Sequence, residues 1–157
     1  LREAAEPLRS DREVVLAAVR RSGGALRWAA EPLRGQREVV LSAVRSDPSA
    51  LPFASEELQA DRDIVLVAVE CSYGIAFKLA LPELQRDREV ALAAASRDGW
   101  VLQDMDEDFR NDREIVLAAV REAGMALEHA GAALRADRGL VREAMRETAA
   151  AFRCAAE

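Results

Sequence analysis

The stretch Leu8-Arg9-Ser10-Asp11-Arg12-Glu13-Val14-Val15-Leu16-Ala17-Ala18-Val19 returns five more times, in copies that open at Leu33, Leu58, Leu84, Phe109 and Leu134. The spacings are 25, 25, 26, 25 and 25 residues. A period in this range constrains the fold more than any other feature. Each copy is one supersecondary unit, too small to bury its own apolar face, so neighbouring copies must stack. The expected fold is all-α. It is an α-solenoid of about six two-helix repeats of ~25 residues, making a single helical-repeat domain over residues 1–157 with a longer C-terminal capping helix.

Each unit reads as two helices. Helix A begins at an Asp (Asp11, Asp61, Asp87, Asp112, Asp137) that suits an N-cap, with Gln36 the exception. An acid follows two places on, in all units but the last, and Arg20, Arg45, Arg121 and Arg146 fall in the last turn. Both placements suit the helix dipole. Between them the chain is apolar on most sides, as a helix between two neighbours requires. One position is Ala in every unit (Ala18, Ala43, Ala68, Ala94, Ala119, Ala144), which implies close approach of adjacent helices. Turn residues follow, such as Ser22-Gly23-Gly24 and Asp98-Gly99, where Gly can take a left-handed cap. A shorter helix B then carries a narrow apolar stripe (Ala25, Leu26, Ala29). Pro7, Pro32 and Pro82 should stop it, so that a single turn leads into the next helix A. In the last unit Gly139 and Arg142 replace the first-turn acid and the usual Leu. Leu140, Val141, Ala144, Met145, Thr148, Phe152 and Ala155 keep helical spacing, which reads as one long closing helix with a polar outer face. The chain starts without Met on half a unit, Leu1 to Leu8 matching Leu26 to Leu33. It is expected to be a fragment at its N-terminus, a processed protein, or part of a longer one.

These residues resemble a known family. Leu-Arg-x-Asp-Arg-Glu-Val-Val-Leu-Ala-Ala-Val followed by Gly-x-Ala-Leu-x-x-Ala is similar to the repeat called domain of unknown function 4116. The nearest stretches are Gly99-Trp100-Val101-Leu102 and Asn111 to Val120. The resemblance implies a helical tandem repeat and brings no activity or catalytic residues with it.

Few chemistries survive inspection. The Arg row Arg12, Arg37, Arg62, Arg88, Arg113 and Arg138 has one member per unit. It is either a stripe for phosphates or an acidic peptide, or a ladder that pins the repeats in register through neighbouring acids. The flanking Asp and Glu favour the ladder. The run Asp104 to Asp108 fails as a calcium loop, because Phe109 stands where Gly is needed and Ile115 where the bidentate Glu is needed. His129 is the one histidine and has no nucleophile at motif spacing. Catalytic, metal-binding and cofactor-binding residues are therefore expected to be none. A net charge of −6 opposes a nucleic-acid reader. No apolar run reaches the ~18 residues of a membrane span. Cys71 and Cys154 make no disulfide framework, which points to a reducing intracellular compartment.

The expected function is a non-enzymatic protein–protein interaction scaffold, either a module of a larger protein or an accessory subunit of a multi-subunit assembly. The alternative is a regulatory or targeting repeat region of an enzyme whose catalytic part is absent, or, less favoured by the charge, a nucleic-acid-binding repeat. Trp28, Phe53, Trp100 and His129 are the candidate partner contacts. Aromatics are only 4% of the chain, and a Trp at a surface is a natural anchor.

Overall fold

The computed structural model describes residues 1–3 and 5–147, and all of their regular structure is helical. The chain forms two compact units, one covering Leu1–Leu84 and one beginning at Gln85. The first holds α1 (Glu6–Arg9), α2 (Arg12–Arg21), η1 (Gly23–Trp28), α3 (Glu31–Arg34), α4 (Arg37–Ser46), η2 (Pro48–Phe53), α5 (Glu56–Gln59), α6 (Arg62–Glu70) and α7 (Ile75–Leu79). After α8 (Pro82–Gln85), the second holds α9 (Arg88–Ala95), η3 (Gly99–Asp104), α10 (Glu107–Arg110), α11 (Arg113–Glu122), η4 (Gly124–His129), α12 (Ala132–Arg135) and α13 (Arg138–Glu147). Within each unit every repeat packs on the next, the long helices on each other and the η segments on each other. The protein is a helical repeat array.

The long helices start as their sequences dictate. Asp11, Asp87 and Asp112 each accept two backbone N–H bonds from the first turn, and Asp61 accepts one from Ile64. Gln36 makes no such bond. Burial then falls on four positions per repeat. Val39, Val40, Ala43 and Val44 are fully buried, as are Ile115, Val116, Ala119 and Val120. The first repeat leaves Val14 and Ala18 only half-buried, and the last leaves Val141 half-buried and Met145 exposed. Two of the four positions are thus covered by the preceding repeat and two by the following one.

The second helix of each repeat differs from the sequence expectation. In four repeats it is a 3-10 segment followed by a separate one-turn α-helix, so the unit has three short elements rather than two. The reason is an apolar period of three. Gly23, Leu26 and Ala29 are buried together, and so are Gly99, Leu102 and Met105, and Gly124, Leu127 and Ala130. A 3-10 helix has 3.0 residues per turn and keeps such a set on one side. The prolines then open the one-turn helices α1 and α3 from within their first two positions, where a missing N–H costs nothing. Asp47 and Asp98 cap the 3-10 starts by accepting from Ser49 and Trp100.

The glycines also serve another purpose than expected. Among the described residues Gly74 alone has positive φ, at 73°. Gly23, Gly99 and Gly124 are needed for close approach. A Cβ on them would lie 2.3, 2.2 and 2.5 Å from the carbonyl oxygens of Ala43, Ala119 and Ala144 in the next repeat. The backbone carbonyls of the small-residue row on helix A therefore lie against the glycines of the preceding repeat. At the 26-residue repeat, the extra residue near Tyr73 puts Gly74 in the left-handed region and lets α7 form as a true α-helix. Ser72, buried there, donates to the Val69 carbonyl and accepts from the Ala76 amide.

The closing helix α13 spans ten residues, the length of α2, α4 and α11, up to Glu147. The extension through Thr148, Phe152 and Ala155 lies outside the described residues, as does Cys154. Cys71 is a free, exposed thiol.

Candidate interaction surface

Two side-chain ladders join the repeats, and they decide which surface is left over. In the first, an Arg at the start of one long helix reaches the start of the next. Arg12 donates to Gln36 at 3.3 Å and to Glu38. Arg37 pairs with Asp61 and, at 3.0 Å, with Asp63. Arg88 pairs with Asp112 at 2.8 Å and Glu114 at 2.6 Å, and Arg113 with Asp137 at 3.3 Å. Arg62 is also engaged. Arg138 makes no hydrogen bond or ion pair among the described residues.

The N-cap carboxylates have a double role. Asp112 uses Oδ1 to accept from the amides of Glu114 and Ile115, and Oδ2 to accept from Arg88 Nε. Asp137 repeats the pattern with Gly139, Leu140 and Arg113. The Arg88 guanidinium, with the two amides, holds the Asp112 carboxyl below its ordinary range. For Asp137 the Leu140 amide is the larger cause and Arg113 the second. Further along, Arg121 lowers Glu143 of the following helix through a 3.1 Å pair. These acids and arginines neutralise one another, so this edge offers no free cationic stripe over the joined repeats.

A pH test follows from Asp112. Its folded value lies below its unfolded one, so its contribution is complete above the ordinary Asp range and vanishes as pH falls through the depressed value. Asp112→Asn should be less stable than wild type at neutral pH, and the gap should close below about pH 4. Urea midpoints of both proteins across pH would measure it. A gap that is constant with pH would remove the charge from the account.

The second ladder escaped the sequence reading. The residue after each opening Leu or Phe is Arg9, Arg34, Gln59, Gln85, Arg110 or Arg135. Several of these reach back to the carbonyls of the preceding segment. Arg9 donates to Arg2 O at 3.1 Å, Arg135 to Glu128 O at 3.3 Å, and Gln59 to Pro52 O at 3.1 Å and Ala54 O at 2.8 Å. A 3-10 segment ends with carbonyls that have no internal partner, and these side chains supply one. The signal was present as one long donor per unit at a fixed place. Backbone bonds run beside it, from the amides of Ala30, Ser55 and Gly131 to the carbonyls of Arg9, Arg34 and Arg110.

What remains is the outer edge formed by the η segments. In the first unit η1 packs on η2, and η2 on α7. This brings Trp28, Phe53 and Leu79, which share one slot of the repeat, into a row. The Arg27 guanidinium lies 5.1 Å from the Trp28 ring centre and 5.2 Å from that of Phe53, so one cation bridges two aromatic faces in adjacent repeats. Trp28 and Phe53 are half-buried. Beyond them Tyr73 is 78% exposed, Ile75 58% and Leu79 37%. In the second unit Trp100 is 44% exposed and meets the His129 ring edge-on at 6.1 Å. His129 Nε2 also lies 3.2 Å from Glu128 Oε1. Trp28 and Phe53 form one cluster and Trp100 and His129 a second. Sequence reasoning passed over Tyr73 and Ile75 as contacts, although Ile75 shares its place in the repeat with Ser49 and Trp100, which are also exposed. In the acidic run, Asp106 pairs with Arg86 at 3.4 Å, and Glu107 and Asp108 lie in the first turn of α10.

Fold and ladders together define a tandem helical-repeat protein in which a row of arginines and the acids at the next helix start join successive repeats. The chain belongs to the family described as Domain of unknown function (DUF4116), which matches residues 36–85 and 87–135. Each match opens at the N-cap position of a long helix (Gln36, Asp87) and covers two structural repeats. No curated protein matches the chain, and no solved structure does.

Proposed function

We propose that the protein is a non-enzymatic protein–protein interaction scaffold, a module of a larger protein or an accessory subunit of a large assembly, and that the η edge is its contact surface. The exposure of Tyr73, Ile75 and Leu79 carries this reading. Large apolar side chains in the open, on the repeat that follows the aromatic pair bridged by Arg27, have the composition of an interface core. Repeat arrays suit such use because their stacked edges give long continuous surfaces. Most polar side chains on the ladders are occupied, among the described residues, in holding the repeats together.

The test is a pair of surface variants, Tyr73→Ala and Ile75→Glu. Both residues are exposed, so stability should change by no more than about 0.5 kcal/mol. Wild type and variants would be run through native size-exclusion in extract of the producing cells, with each tagged chain followed by mass spectrometry. Wild type should elute within a larger complex, and the variants should leave it while keeping their helical circular dichroism. Co-elution of the variants with the same proteins as wild type would discard the η edge as the surface.

A further inference from the structure

We infer, resting on the contact surface proposed above, that the η edge of the unit covering Leu1–Leu84 takes a basic amphipathic helix of a partner protein. That helix carries large apolar side chains on one stripe and Lys or Arg beside it.

The acids at the long-helix starts are largely taken up by the first ladder. The acids of the one-turn helices are different. Glu31 opens α3, Glu56 and Glu57 open α5, and Glu83 stands in the first turn of α8. All four are exposed, and their side chains make no hydrogen bond or ion pair among the described residues. Each follows a member of the slot row. Glu31 comes three residues after Trp28, Glu56 and Glu57 three and four after Phe53, and Glu83 four after Leu79. Even a fully extended backbone would separate these pairs by no more than about 14 Å. Repetition turns the two places into two parallel rows, one apolar and one acidic. The cations of the same segments are turned to other tasks. Arg27 lies over the two rings, Lys78 is engaged within the chain, and Arg34 is half-buried with its Nε closed off from solvent.

Spacing selects a helix as the occupant. Stacked long helices lie about 8–10 Å apart, and seven residues of an α-helix rise about 10 Å. A helix laid along the edge therefore brings the same two places of its heptad to each repeat. One is apolar and meets the slot row, and the other is Lys or Arg and meets the acids. A strand does not fit this period, because the side chains on one of its faces recur at about 7 Å. Ile75 and Leu79, one turn apart on α7, share a face and supply the apolar end of the site. Charge selects a basic partner, since nucleic acid or an anionic lipid surface would meet repulsion from the carboxylates. The second unit provides the contrast. Glu107 and Asp108 fill the acid places there, but the slot residue before them is Asp104, so the charge stands without the apolar row.

The probes are two synthetic helices of about three heptads with the same Leu stripe, flanked by Lys in one and by Glu in the other. Fluorescence anisotropy would follow their binding to the 157-residue chain at low and high salt. The Lys helix should bind, and more weakly at high salt, and the Glu helix should not bind. Glu31→Gln, Glu56→Gln and Glu57→Gln together should weaken the Lys helix about tenfold, the loss expected from three exposed ion pairs. Ile75→Ala should weaken it severalfold through lost apolar contact. Glu107→Gln with Asp108→Asn should leave binding unchanged. Far-ultraviolet circular dichroism would check that these changes, all at exposed positions, leave the fold intact. Equal binding of the two helices, equal losses from the two sets of charge changes, or no binding of the Lys helix would overturn the proposal. The size-exclusion experiment on extract separates this partner from the surface itself. If Tyr73→Ala and Ile75→Glu leave the complex while the variant lacking Glu31, Glu56 and Glu57 stays in it, the surface stands and its basic partner falls. If none of them leaves, both fall.

Discussion

Gly99→Ala should lower the stability of the unit beginning at Gln85 more than any surface substitution in it, by ~3 kcal/mol. The added Cβ would stand 2.2 Å from the Ala119 carbonyl oxygen and 3.0 Å from the Ala123 amide nitrogen. Both obstacles are backbone, of α11 and of the residue that ends it, so no rotamer change relieves them, and the two repeats must move apart. Separation exposes Val101, Leu102, Ile115 and Ala119, which are buried at 1% or less. Gly24→Ala is the control. A Cβ there has only the Asp47 carboxylate near it, at 3.9 Å. Urea denaturation of both variants would distinguish them. Equal midpoints would mean that Gly99 is present for turn geometry rather than close approach.

Phe77→Ala should cost ~3–5 kcal/mol, the range for deleting a buried aromatic ring. Phe77 is the largest fully buried side chain among the described residues, at 1% exposure. It occupies the slot that Leu fills in the other repeats (Leu26, Leu51, Leu102, Leu127). The 26-residue repeat makes α7 an α-helix, and the larger ring occupies that slot there. Phe77→Leu should therefore be much milder than the Ala variant but still measurable. Thermal unfolding of the three proteins would rank them. A Phe77→Leu protein as stable as wild type would show that the repeat does not use the ring's extra volume.

Much of this architecture was legible in the residues. The period fixed the repeat, Asp before an apolar run fixed each long-helix start, and the odd Gln36 marked the one start that lacks a side-chain cap. Other features were not legible, for physical reasons. Gly, Leu and Ala at positions 23, 26 and 29 carry a period of three, but the same letters also fit one face of a short α-helix. Six residues are too few to separate 3.0 from 3.6 per turn. The function of Gly99 depends on a carbonyl twenty residues away, which no local pattern reports. The Arg row could be read as a ladder because acids flank every member. The Arg9 row could not, because its acceptors are backbone carbonyls and leave no trace in side-chain identity. Of the candidate contacts, the rarity of aromatics singled out Trp28, Phe53, Trp100 and His129. It could not show that Arg27 clamps the first two while Tyr73 and Ile75 stand free.

The hydrogen bonds between repeats have a direction, and this bears on how the chain is made. In the pairs made by Arg12, Arg37, Arg88 and Arg113 the guanidinium belongs to the earlier repeat and the carboxylate to the later one. A ribosome releases the earlier repeat first. Each new helix start therefore emerges after the arginine that will pair with it. Nucleation, the costly step for a ten-residue helix, is thereby assisted by the finished part of the molecule. Order can spread along the growing chain one helix at a time, from the first repeat synthesised to the last.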